Sequence, residues 1–189
     1  RLFAIYLDDY HVRQGASLRI REPIIEFIRT LAPTDMIGVM YPLTPLDAVQ
    51  MTRDHEAVVA TIEDFLGRKY DYEPKNRFEA SYMHASPSTI EQIRNEVSLT
   101  GLRALITRLG GLREGRKSVI LVSEGFTNIL PPQLRGVNAT QFTDPRMRNP
   151  FVRSGNPREQ AMQMTSDLTL QTDLQRLFDT ANRANTSIY

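Results

Sequence analysis

The chain contains no cysteine. That absence excludes disulfide scaffolds, zinc ribbons, thiol catalysis and cysteine-ligated iron–sulfur clusters, and it leaves the compartment unspecified. Long apolar runs are lacking too. The longest, such as Leu2–Leu7, fall far short of the ~20 residues that a membrane-spanning helix needs. Nor is there an excess of either charge. Lys and Arg number 23 against 22 Asp and Glu, a net charge of +1, so the basic stripe expected of a nucleic-acid binder is missing. Lysine itself is scarce, and arginine supplies nearly all of the positive charge. What is present suits one domain: 189 residues, 41% hydrophobic and 24% charged. A chain of that length buries about two thirds of its unfolded surface and needs no disulfide or metal to fold.

The order of patterns is strand, helix, strand, helix. Leu2–Leu7 (LFAIYL) is apolar throughout, as expected of a parallel strand covered on both faces, and it ends in Asp8 and Asp9. From Ser17, the residues Ile20, Ile24, Phe27, Ile28 and Leu31 recur at helical spacing, with Pro23 either in the first turn or at a kink. Met36–Tyr41 predicts a second strand, and Ala48–Met51, reached through a Pro42 to Pro45 turn, an antiparallel edge strand. Asp54 caps a helix on Val58, Val59, Ile62 and Phe65 that Gly67 closes. A tyrosine-bearing insertion, 68–85, precedes a long helix opened by Ser86-Pro87, with a stripe of Ile90, Ile93, Val97, Gly101, Leu105 and Leu109. Ser118–Val122 is β-branched and central in character. A second long insertion, 126–158, carries five prolines, and a last helix from about Ser166 to Ala184 leads into a strand at Thr186. The chain opens directly before one strand and stops as another begins, so it reads as a single domain, 1–189, cut from a longer protein and lacking its last strand or helix. The expected fold is a doubly wound, mostly parallel α/β sheet flanked by helices, with one antiparallel edge strand.

In such sheets ligands gather beyond the carboxyl ends of the strands. The first strand delivers Asp8, Asp9, Tyr10 and His11 there, and the strand at 118–122 delivers Ser123, Glu124 and Gly125. If the two are neighbours, Asp8 and Glu124 face each other and either share a proton or hold a hard cation. Other assignments fail on the same residues. A receiver domain needs an acceptor Asp after MIGVMY, where Pro42 stands; a haloacid-dehalogenase site needs Asp at position 10, where Tyr10 stands. A serine hydrolase needs a Gly two residues before Ser123 and a His after it, and the chain has neither. His11 lies in the crevice without a nucleophile beside it, which favours a turn or hydrogen-bonding role. Tyr70, Tyr72, Tyr82 and Phe78 are read as packing the first insertion onto its own domain.

The strand ending in Asp8, the strand MIGVMY, the helix opened by TRDHEAV and the segment GRKSVILVSEGF together resemble the von Willebrand factor type A domains, in particular a divergent bacterial branch. In that family a metal-ion-dependent adhesion site is built from a D-x-S-x-S turn after the first strand, a Thr from a middle loop and the Asp of a later Thr/Ser-Asp-Gly turn. Carried over, the first Asp matches Asp8, the serines fall on Tyr10 and Val12, the middle Thr on either Thr89 or Thr100, and the later Asp on Glu124. The resemblance implies a degenerate adhesion site with Asp8, Tyr10 and Glu124 around a weakly held Mg, Ca or Mn ion. It implies a non-enzymatic, protein-binding role in an exported, periplasmic or cell-envelope protein. The partner is expected over the Asp8/Glu124 edge, touching Asp9 and His11, and the cluster Arg146, Arg148 and Arg153 suits an acidic one. The alternative is a metal-assisted hydrolase or phosphoryl-transfer enzyme using Asp8, Asp9 and Glu124. No phosphate-cradling glycine loop or fixed general base accompanies those three.

Overall fold

The computed structural model describes residues 1–112, 116–127, 130 and 157–189, and of 157–164 and 166 the backbone alone. Its elements run β1 (Leu2–Leu7), α1 (Gln14–Arg29), β2 (Met36–Met40), α2 (His55–Glu63), α3 (Arg77–Tyr82), α4 (Pro87–Leu112), β3 (Lys117–Val122), α5 (Pro157–Arg183) and β4 (Thr186–Ile188). The four strands form one sheet in the order β2-β1-β3-β4, every pairing parallel. Leu2 stands opposite both Met36 and Lys117, which places β1 and β3 side by side at the centre.

Two apolar layers explain why β1 reads apolar on both faces. Ile5 and Leu7 pack with Ile24, Ile25 and Ile28 of α1 and Val58, Val59 and Ile62 of α2. Ala4 and Tyr6 point the other way, toward Leu99, Leu102, Leu105 and Ile106 of α4 and Leu177 and Ala181 of α5. Alternation along a strand sends successive side chains to opposite faces, so a strand between two helical layers must be apolar at every position. The architecture is a doubly wound α/β sheet flanked by helices.

Four details depart from the sequence reading. The antiparallel edge strand at Ala48–Met51 is absent: Leu46–Ala48 forms a 3-10 turn after Pro45, and antiparallel pairing there reduces to one bridge, Ile37 to Thr52. The 68–85 insertion is not all loop, because Asn76 accepts a hydrogen bond from the Glu79 N–H at 2.9 Å and starts α3. The last helix starts at Pro157 and takes in Arg158, with proline at the first helical position, where its missing N–H is harmless. In α4 the buried face is rotated from the expected stripe over the first half: Glu91, Arg94, Asn95 and Ser98 are buried, while Ile93 and Val97 are only partly so. That rotation builds the site.

Among the described residues, no helix is long and apolar enough to cross a membrane.

Candidate functional site at the carboxyl edge of the sheet

Asp8 is the first residue beyond β1, and its N–H donates to the Val122 carbonyl of β3 at 3.0 Å. The chain then turns through a 3-10 segment, Asp9–His11, closed by the His11 N–H on the Asp8 carbonyl at 3.1 Å. That turn swings the His11 imidazole back over the Asp8 carboxylate, with Nδ1 at 2.9 and 2.8 Å from the two oxygens. The Ser98 hydroxyl of α4 donates to Oδ1 at 2.7 Å, and the Ser123 hydroxyl after β3 donates to Oδ2 at 2.8 Å. Asp8 and His11 are both fully buried. An ionised carboxylate in such a place requires charge-assisted donors, and an imidazole and two hydroxyls supply them.

Glu124 is equally well occupied. The Arg13 main-chain N–H reaches Oε1 at 2.9 Å, Arg13 Nε reaches Oε2 at 2.8 Å, and Lys69 Nζ lies 3.5 Å from Oε2. Burial alone would raise its pKa, but these donors outweigh burial and hold it below the ordinary glutamate value. The Glu124 N–H also donates to the His11 carbonyl at 3.1 Å, so the two acidic turns are neighbours, as the strand order requires. Each carboxylate nevertheless has its own set of protein donors, and the two do not converge on a shared point.

Tyr10 corrects the carried-over ligand set. Its hydroxyl donates to Glu79 Oε1 at 2.9 Å, and its ring lies 4.9 Å from the guanidinium carbons of both Arg68 and Arg94. A phenol committed to Glu79 and flanked by two cations is not placed to ligate an ion at Asp8. Val12, the other serine position, is a core residue. Thr89 bonds to Ser86 on the surface, and Thr100 is exposed. Asp9, expected at a partner surface, is instead paired with Arg68 Nε at 2.8 Å, and burial holds its pKa above the ordinary value despite that cation. Arg68 also pairs with Glu79, so α3 is tied down over the edge. Tyr72 and Tyr82 are half-buried and Phe78 remains exposed, so the first insertion packs onto its own domain in part only. Arg146, Arg148 and Arg153 lie outside the described residues.

Sequence reasoning missed the α4 contribution. Glu91, Arg94, Asn95 and Ser98 follow one another at helical spacing and form a polar stripe that faces Asp8, His11 and Tyr10. The signal was present as that spacing, but the apolar residues Ile93 and Val97 carried the reading to the adjacent face. The stripe leaves His11 Nε2 and Arg94 Nε buried without hydrogen bonds, and it sets Glu91 beside the Tyr72 hydroxyl. Arg94 Nη1 is 3.7 Å from Glu91 Oε1, and burial keeps the Glu91 pKa raised in spite of Arg94 and His11. The His11 ring meets Phe126 nearly edge to face, with centroids 5.0 Å apart.

As arranged, these donors do not fit a divalent cation. Hard cations take six or more oxygens, whereas both Asp8 oxygens are engaged, Tyr10 is turned to Glu79, and Glu124 is clamped by two cations. Among the described residues no group of three His, Cys, Asp or Glu side chains is placed to hold a metal ion. Comparison with protein-family models, with curated proteins and with solved structures returned no match.

Proposed function

We propose that this chain is a non-enzymatic, protein-binding module of the von Willebrand factor A type, with the partner docking over the edge formed by Asp8, Arg13, Lys69 and Glu124. The observation that carries the reading is the four-contact shell around Asp8. His11, Ser98 and Ser123 engage both Asp8 oxygens, which supports a carboxylate that orders the edge through protein donors. A hydrolase built on Asp8, Asp9 and Glu124 would need those carboxylates free to share an ion, and each is bound to protein donors. Arg13, with 67% of its side chain exposed, is the group this edge offers to a partner.

A photo-crosslinking amino acid at position 13, expressed in the native host, should give a discrete protein adduct. The same group at Glu56, on the outer surface of α2, should give none. Protein stripped of metal and then supplied with magnesium or manganese should not turn over a generic phosphoester. Turnover that disappears in Asp8→Ala would instead establish the metal-assisted enzyme.

A further inference from the structure

The coil that enters the first insertion is fastened to the turn after β1. Arg68 N–H donates to the Asp9 carbonyl at 2.7 Å, and Lys69 N–H to the Val12 carbonyl at 3.0 Å. The chain then reverses. The Asp71 N–H closes on the Arg68 carbonyl at 3.0 Å, which makes 68–71 a β-turn with Lys69 and Tyr70 at its centre. Tyr70 has a φ of 67°, whereas Lys69 keeps a negative φ. That sequence of angles defines a type II turn, whose third position is ordinarily Gly or Asn because a larger side chain crowds the backbone there. An aromatic residue in it is strained.

The surroundings hold Tyr70 in place. The buried guanidinium of Arg94 donates to both ends of the turn, through Nη1 to the Arg68 carbonyl at 3.3 Å and through Nη2 to the Asp71 carbonyl. Lys69 Nζ lies 5.6 Å from the Tyr70 ring centroid and 3.5 Å from Glu124 Oε2, so one ammonium joins the ring to the carboxyl edge. Strained backbone persists only where contacts over-determine it, and a buried arginine and two backbone bonds are committed to this turn. Glycine would make the same turn without strain. What tyrosine adds is a side chain fixed at the edge.

That side chain is half-buried, and among the described residues no hydrogen bond engages its hydroxyl. The Tyr10 hydroxyl, by contrast, is committed to Glu79 and the Tyr6 hydroxyl to the Ser98 carbonyl. Glu124 and Arg13 of the edge and the buried Glu91 all act electrostatically on the Tyr70 phenol, which places it among the residues where the partner docks. Glu91 has Arg94 beside it, so the rim itself carries two cations, Arg13 and Lys69, against the one carboxylate of Glu124. An excess of positive charge selects an acidic partner. Tyrosine and arginine are also the residue types that dominate binding at protein interfaces, and a ring already held in one conformation loses little entropy on contact.

We infer that Tyr70 is the specificity-determining contact of the binding edge: its ring packs against the protein partner, and its hydroxyl, with Arg13, receives an acidic side chain of that partner. The inference rests on the binding-module reading and names both the residue that selects the partner and the chemistry it selects.

The test separates the side chain from the turn. Tyr70→Gly relieves the backbone and removes the ring, while Tyr70→Phe keeps the ring and removes the hydroxyl. Each is made in the full chain with a photo-crosslinking amino acid at Gln14, an exposed neighbour of Arg13, and expressed in the native host. The urea midpoint of Tyr70→Gly should equal or exceed that of the protein with Tyr70 intact, while its yield of protein adduct falls about tenfold or more. Tyr70→Phe should keep the midpoint and lower the yield about threefold. The partner peptide in the adduct, mapped by mass spectrometry, should carry Asp or Glu beside the crosslinked residue. A lowered midpoint in Tyr70→Gly would make the ring a packing element and overturns the inference. So does a crosslinked peptide without an acidic residue. An adduct yield indifferent to either substitution also overturns it, and the binding edge then stands. If neither position 13 nor position 14 gives an adduct with Tyr70 intact, both fall.

Discussion

Replacing Asp8 by Asn tests directly what balances the buried carboxylate. Asn keeps the shape and one carbonyl oxygen but puts an amide NH2 where the second carboxylate oxygen stood. Asp8 accepts from His11, Ser98 and Ser123, all at 2.7 to 2.9 Å, and the residue is 0% exposed. One serine and the imidazole can still be served by Asn; the other serine then faces a donor. A hydrogen bond to a charged group contributes about 1.5–3 kcal/mol net, and removing one partner of a buried pair costs about 3–5 kcal/mol. Because Asn retains part of the network, roughly 3 kcal/mol is expected, a fall in Tm of about 6–12 °C for a domain of this size. Urea denaturation followed by circular dichroism gives the free energy, with Glu124→Gln as the surface control expected to lose no more than about 1 kcal/mol. Wild-type protein treated with chelator and then with millimolar magnesium should unfold at the same urea concentration in both states. If the Asp8→Asn variant lies within about 1 kcal/mol of wild type while magnesium stabilises the wild type alone, an ion balances Asp8 and the internal network does not.

Glu79 is held at a pKa of about 2: burial would raise it, but Arg68, the Lys75 N–H and the Tyr10 hydroxyl outweigh burial. Its contribution is therefore full above its ordinary value of 4.5 and lost as pH falls toward about 2, and Glu79→Gln should flatten that acid limb in urea titrations. Glu91 has the opposite sign. Its raised pKa means that its contribution is present below 4.5 and is lost as pH rises, so the stability of Glu91→Gln relative to wild type should increase from acid to neutral pH. A flat difference would show that Tyr72, Arg94 and His11 offset the burial of Glu91 in full. Gly67→Ala would drive a Cβ into the Val12 carbonyl oxygen, so backbone must move; a loss of more than about 2 kcal/mol is expected, and a near-neutral result would mean that the coil at 67–69 does not hold this approach.

The fold was readable because its signals are local and redundant. LFAIYL is apolar at every position and SVILV at all but Ser118, as a parallel strand between two helical layers demands, and both end in acidic turns at the same edge. Site geometry was legible only at its ends. Asp8 and Glu124 follow directly from strand termini, but their partners come from far along the chain: Ser98 is 90 residues from Asp8 and Glu79 is 69 from Tyr10. Periodicity ranks residues by apolarity, and in the first half of α4 the buried face is the polar one. The stripe Glu91, Arg94, Asn95 and Ser98 was consequently left out of the predicted buried face, which ran through Ile93 and Val97. The edge strand at Ala48–Met51 failed for a different reason: Pro45 starts a tight turn, and one bridge at Thr52 uses the pairing that a strand would have used.

Three distant segments share backbone hydrogen bonds at the carboxyl edge. Arg68 N–H reaches the Asp9 carbonyl, Lys69 N–H the Val12 carbonyl and Glu124 N–H the His11 carbonyl, while Arg13 and Glu124 close a span of 111 residues. The β1–β3 pairing, Leu2 to Lys117, already closes that span, and the edge adds only a few hydrogen bonds between coil segments above it. The edge is therefore expected to open before the strands. In native-state amide exchange the N–H groups of His11, Arg68, Lys69 and Glu124 should open together, as one unit with a smaller free energy than β1 and β3.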